Sequence, residues 1–226
     1  MAGNIVERID NRVRIRTVLM STFDKTGIEE FARGLARINP GMLFLSTGGT
    51  FGVLEKALGG SATLLQVSDY TGQPETQGGL VKTLDFKIYL GLLTETYNDA
   101  HQNDLTRTGA RQIDMAVVNL YPFEQVTARD GVSVEEARAN IDIGGPCMVR
   151  ASAKNFLRVA SVTDPADYPA ILKEMEAGRG ALDLNFRLRL AKKAFAHTAA
   201  YDTRIAEFLA KQPDDVRGTY RFAGEE

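Results

Sequence analysis

The chain has 226 residues, 44% hydrophobic and 25% charged, with 27 basic and 29 acidic side chains and a formal charge of -2. It is long enough for a full core, and its near-neutral balance offers no global field for nucleic acid or an anionic membrane, so any anion must be bound locally. One cysteine excludes an internal disulfide, the opening MAGNIVERIDNRVRIR lacks a signal-peptide core, and no apolar run reaches membrane-spanning length, which makes a cytoplasmic protein the expectation.

RTVLM (16–20) reads as a buried strand, and STFDKTG (21–27) leads from it into a helix with Ile28, Phe31, Ala32 and Leu35 on one face. MLFLS (42–46) is a second strand, followed by TGGT and a helix closing near Gly59 and Gly60, and TLLQV (63–67) is a third. Strands alternating with helices argue for a doubly wound, mainly parallel α/β sheet whose ligands sit beyond the carboxyl ends of the strands. After the polar loop SDYTGQPETQGG comes VKTLDFKIYLGLLT (81–94), whose second half is apolar enough for another strand. Residues 98–107 read as a polar surface connection. DMAVVNL (114–120) is a strand ended by Pro122, and SVEEARANI is a helix with Ser133 and Glu136 at capping-box spacing.

IDIGGPCMVRASAKN (141–155) gathers a carboxylate, two glycines, a proline and two cations. Pro146 suits the first turn of a helix running to about Asn155, with Asp142 near its positive end. Arg150 and Lys154 fall four residues apart on one face, which disfavours the helix unless an anion is near. RVASVT (158–163) reads as a strand, 166–177 as a helix, and 182–211 as largely helical until Pro213. The reading divides softly near residue 130, into a sheet-based part, 1–130, and a mostly helical extension, 131–226, that completes one compact unit. Residues 1–17 and 212–226 stay unassigned.

Two turns stand out at adjacent strand ends. STFDKTG offers Ser21 and Lys25, and STGGT offers Thr47, Gly48, Gly49 and Thr50, so open backbone amides, hydroxyls and a lysine would converge on a phosphate-sized anion. Plain helix capping is the alternative for either turn alone. Lys82, Thr83, Asn119 and Tyr121 are further polar residues near strand ends. Cys147 reads as a packed residue, because His101 and His197 are both distant in sequence, and the same shortage of ligands argues against a metal site. His197 and Tyr201, one turn apart in KAFAHTAAYD, read as structural.

With these residues in hand, the sequence resembles the IMP cyclohydrolase domain of the bifunctional purine-biosynthesis enzyme that also carries AICAR transformylase. The resemblance runs from about Val18 to Lys211 on DKTG, STGGT, VSDYTG followed by Pro74 and Glu75, VKTL, VVNLYPF, NIDIGGP, MVRASAKN and KAFAHTAAYD, all in family order. It implies a methylglyoxal-synthase-like sheet domain and dehydrative closure of 5-formamidoimidazole-4-carboxamide ribotide (FAICAR) to inosine monophosphate, without a cofactor or metal. It places Lys82, Tyr121, Asp142 and Lys154 around the base, and Ser21, Lys25, Thr47, Gly48, Gly49, Thr50 and Thr83 toward the phosphate. Lys154, helped by amides near Gly144 and Gly145, is then the expected oxyanion partner, and Asn119 a substrate contact. A homodimer and a separate AICAR formyltransferase are the expected partners.

The family pattern is broken in places. Leu80 stands where an arginine is usual, Asp85 and Tyr89 where two histidines are usual, and Phe23 where the first phosphate turn has a serine. The reading from another class is therefore a catalytically silent purine-nucleotide module on the same scaffold. Methylglyoxal synthase is disfavoured because the IDIGGP and SAKN segment has no role there.

Overall fold

The computed structural model describes residues 5–74, 76 and 81–223. Five strands form one parallel sheet in the order β4 (Thr63–Gln66), β3 (Leu43–Ser46), β2 (Thr17–Ser21), β5 (Met115–Val118), β6 (Ala160–Val162). The fifth strand comes from beyond residue 130. A parallel sheet is covered on both faces, so its strands read as continuous apolar runs; MAVV of β5 is buried throughout. Alternate side chains then serve two cores. Val18 and Met20 point to the side of α1 (Ile28–Ile38), α2 (Gly48–Leu58) and α9 (Tyr168–Ala177). Leu19 points to the side of α4 (Phe86–Leu93), α8 (Gly144–Lys154) and α10 (Leu184–Ala210).

The strand order runs outward in both directions from β2, which makes the gap between β2 and β5 the switch point of the sheet. The chain leaves β2 toward one face and β5 toward the other, opening a crevice between their carboxyl ends.

The structure corrects the sequence reading at several elements. The apolar run expected as a strand is the helix α4, started by Asp85, whose carboxylate accepts from the Lys87 amide at 2.8 Å. Short apolar runs do not separate buried strands from buried helices. The polar connection is a helix too, α5 (Asp99–Thr108), capped by Asn98 and ended by Gly109 in the left-handed region. It is polar nearly all round, so periodicity was silent and only its caps marked it. A small antiparallel pair, β1 (Arg12–Arg14) with β7 (Ala181–Asp183), was not foreseen. Fully buried Arg187 holds that corner, donating to the carbonyls of Asp10, Asn11, Phe156, Leu157 and Leu182. Short α3 (Val67–Thr71) and α6 (Phe123–Thr127) were also missed, whereas α7 (Val134–Ala139) carries the expected capping box.

Candidate active site

A cavity of about 360 Å³ occupies the crevice. Its lining includes all the expected site residues except Lys154: Ser21, Lys25, Thr47, Gly48, Gly49, Thr50, Lys82, Thr83, Asn119, Tyr121, Asp142, Gly144 and Gly145. The loops after β2 and β5, the first turn of α2, the 81–84 turn before α4 and the segment leading into α8 bring them together. Leu80 and Glu75 lie outside the described residues.

On one side the two strand-end turns are stitched to each other. Ser21 and Thr47 hydroxyls lie 3.1 Å apart, and the Thr50 hydroxyl both accepts from the Thr22 amide and donates to the Thr22 carbonyl, each at 3.1 Å. Thr50 is buried and its hydroxyl is thus committed to the protein, so it shapes this wall instead of offering a donor. Lys25 turns its ammonium onto the carbonyls of Thr22 and Phe23, and burial lowers its pKa against the opposing pull of Asp24. Thr47, the N-cap of α2, makes no side-chain cap, and Lys82 Nζ stands 3.4 Å from where a Cβ on Gly48 would be. An ammonium near an uncapped helix N-terminus adds its charge to the helix dipole at one spot, an arrangement that favours an anion there. Lys82, expected from the resemblance near the base, thus stands beside the α2 turn.

On the other side Asp142 is set over the start of α8. Its Oδ1 accepts from the Gly145 amide at 2.9 Å, and the Tyr121 amide also donates to the carboxylate. A Cβ on Gly145 would stand 2.3 Å from Asp142 Oδ2 and 2.7 Å from Leu120, so glycine is required for the carboxylate to lie there. Gly144 is likewise closed against the Thr83 hydroxyl. Burial raises the Asp142 pKa despite the two amides, leaving a carboxyl able to exchange protons above the ordinary range. Because the Gly145 amide is spent on Asp142, it is not open to an oxyanion as the sequence reading expected.

Asn119 also proves committed. Its carboxamide oxygen accepts from the amides of Phe23, at 2.6 Å, and Asp24, at 2.9 Å, while its nitrogen donates to the Asp24 carbonyl at 2.9 Å. It pins the 22–25 turn across the switch point. Tyr121 is half-exposed at the mouth, edge-on to Phe23.

Lys154 is not brought to this cavity. It is exposed at the last position of α8, ten residues beyond Gly144, a rise of about 15 Å along the axis. Arg150, one turn before it, lies over the Phe195 ring at 5.9 Å. Asp85 caps α4 and Tyr89 packs into the second core, so these two departures from the family pattern fall outside the cavity lining. His197 lines a second, more open cavity beyond the 22–25 turn, and burial lowers its pKa. Among the described residues, no group of three or more His, Cys, Asp or Glu is placed to hold a metal ion.

A family model described as the MGS-like domain matches residues 27–147, more than half of the chain. The chain belongs to that family. In this MGS-like protein a second model, the AICARFT/IMPCHase bienzyme, matches residues 152–226. The bifunctional purine biosynthesis protein PurH of Magnetococcus marinus is 45% identical over 204 residues, 90% of this chain and 37% of its own length. PurH of Neisseria meningitidis serogroup A is 47% identical over 202 residues, 89% of this chain and 37% of its own. The chain therefore spans less than two fifths of these curated relatives. The crystal structure of ForH superposes with a TM-score of 0.72 at 34% identity, covering 86% of this chain and 99% of that one.

Two residues gain a place here: Tyr201, read from the sequence as structural, anchors the Asp142 loop, and Phe23 lines the cavity. Tyr201 accepts from the Asp142 amide at 2.8 Å, which no local pattern announces because the partners are 59 positions apart. Phe23 lines the mouth, although it was noted only as a missing serine.

Proposed function

We propose that this protein is an IMP cyclohydrolase, closing FAICAR to inosine monophosphate with loss of water. The observation that carries the reading is the opposition, across one cavity, of an anion seat at the α2 N-terminus and a half-buried carboxyl at the α8 N-terminus. A ribotide has a phosphate for the first and a reacting amide for the second. Similarity to proteins named PurH supports the same choice.

In this reading Lys82 and the turns carrying Ser21, Thr47, Gly48 and Gly49 hold the phosphate, and the heterocycle lies toward Tyr121 and Asp142. The carboxamide nitrogen attacks the formyl carbon, forming the new C–N bond while the carbonyl electron pair moves to oxygen. Asp142 takes the proton that nitrogen loses, and the half-exposed Tyr121 hydroxyl donates to the oxyanion. Expulsion of the protonated oxygen as water, with loss of the formamide N–H proton, completes the C=N bond. Both reacting groups belong to one molecule, so most of the acceleration is required from holding a near-attack rotamer. Cytoplasmic location and a homodimer accompany the proposal; among the described residues no helix is long and apolar enough to cross a membrane.

The test is the ultraviolet change on mixing the protein with FAICAR. Formation of inosine monophosphate by wild type, lost at least about a hundredfold in Asp142→Asn, is expected for removal of a general base. Saturable binding of inosine monophosphate without turnover would overturn the enzyme reading in favour of a silent nucleotide module.

A further inference from the structure

We propose that Phe23 determines ligand specificity, forming with Tyr121 an aromatic corner that grips a planar heterocycle; the inference rests on the nucleotide reading above. The two rings meet edge to face, with centroids 5.6 Å apart and planes at 88°. They come from opposite lips of the switch-point crevice, Phe23 from the loop after β2 and Tyr121 from the loop after β5, and both line the cavity. Phe23 is 51% exposed and Tyr121 50%, so each ring keeps a face open. A flat base lying on one ring presents its edge to the other, satisfying both preferred aromatic geometries at once.

Packing does not explain this phenylalanine. It belongs to neither core cluster among the described residues, and its neighbours in the turn are polar and hydrogen-bonded. The main chain beneath it is nevertheless fixed, because Asn119 accepts from the Phe23 amide and Lys25 donates to the Phe23 carbonyl at 3.2 Å. Only the side-chain torsions remain to be ordered on binding, which is what a pre-formed apolar contact requires. The ring packs against Tyr121, which the proposed function sets at the heterocycle end, so the residue in the serine's place is expected to act on the base more than on the anion.

Calorimetric binding of two ligands, inosine monophosphate and ribose 5-phosphate, separates the alternatives in wild type, Phe23→Ser and Phe23→Tyr. Phe23→Ser is expected to weaken inosine monophosphate about tenfold, and Phe23→Tyr to keep the wild-type affinity. Ribose 5-phosphate, which has no ring face to stack, should bind all three proteins within about twofold, and it also reports that each variant is folded. Equal weakening of both ligands, or no weakening of either, in Phe23→Ser would overturn the proposal while leaving the nucleotide reading standing. Failure of wild type to bind either ligand would overturn both.

Discussion

The Tyr201 hydroxyl accepts a hydrogen bond from the Asp142 amide at 2.8 Å, tying the middle of α10 to the loop that carries the half-buried carboxyl. Tyr201 is itself buried and packs edge-on to Phe123 just after β5. The hydroxyl is thus a strut between α10 and the active loop. Tyr201→Phe keeps the ring but strands the amide, at a cost of about 1 to 3 kcal/mol in stability. Turnover should fall several-fold with Asp142 less well held, while ribose 5-phosphate binding stays unchanged. A thermal melt beside a turnover assay checks both, and unaltered turnover would reduce the strut to a purely structural one.

Asp142 leads to a pH prediction. Burial raises its folded pKa above the ordinary 3.8, so the folded state holds its proton more tightly than the unfolded chain. With more protons bound in the folded state, stability falls as pH rises from the unfolded value through the raised folded one. Asp142→Asn removes that dependence, and at neutral pH the variant should be more stable than wild type although inactive. Unfolding measured from pH 4 to 8 tests this; a variant destabilised at pH 7 would show that the ionised carboxylate is well compensated by the Gly145 and Tyr121 amides.

Gly145 allows a sharper separation of binding from chemistry. Alanine there would press its Cβ to 2.3 Å from Asp142 Oδ2, so the carboxylate must move. The anion seat at Gly48 belongs to another helix. Gly145→Ala should therefore cost about a hundredfold in turnover with a much smaller loss of phosphate affinity, since displacing a reacting group by 1 Å suffices for that factor. Comparable losses in both would mean that α8 as a whole had shifted.

Legibility in the sequence followed the range of the interactions. The parallel sheet was readable because its strands are short apolar runs, buried throughout in β5 and β6, with turn residues after them, and the strand-end turns marked the cavity because glycines and hydroxyls cluster there. α4 was not, since IYLGLLT has no period and its start depends on Asp85, a residue met first as an oddity. Commitments of polar groups were equally hidden. Thr50, Asn119 and the Gly145 amide all have the right chemistry for a ligand, yet each is engaged by a partner across the crevice or within the α8 turn. Motif spacing says which residues can meet, and only the fold says which remain open.

Lys154 is where motif and geometry part. From its own chain the lysine stands about 15 Å of helix beyond Gly144, farther than a lysine side chain reaches back along α8. It is exposed, and a surface substitution of this kind alters stability by no more than about 0.5 kcal/mol. Lys154→Ala should therefore leave the unfolding midpoint and inosine monophosphate affinity at wild-type values. The same variant decides the oxyanion role, which the proposed mechanism gives to Tyr121 within a single chain. Unchanged turnover keeps the chemistry inside one cavity. A collapse of turnover at constant affinity would require an ammonium from a second copy, and mixing Lys154→Ala chains with Asp142→Asn chains would then restore activity that neither has alone.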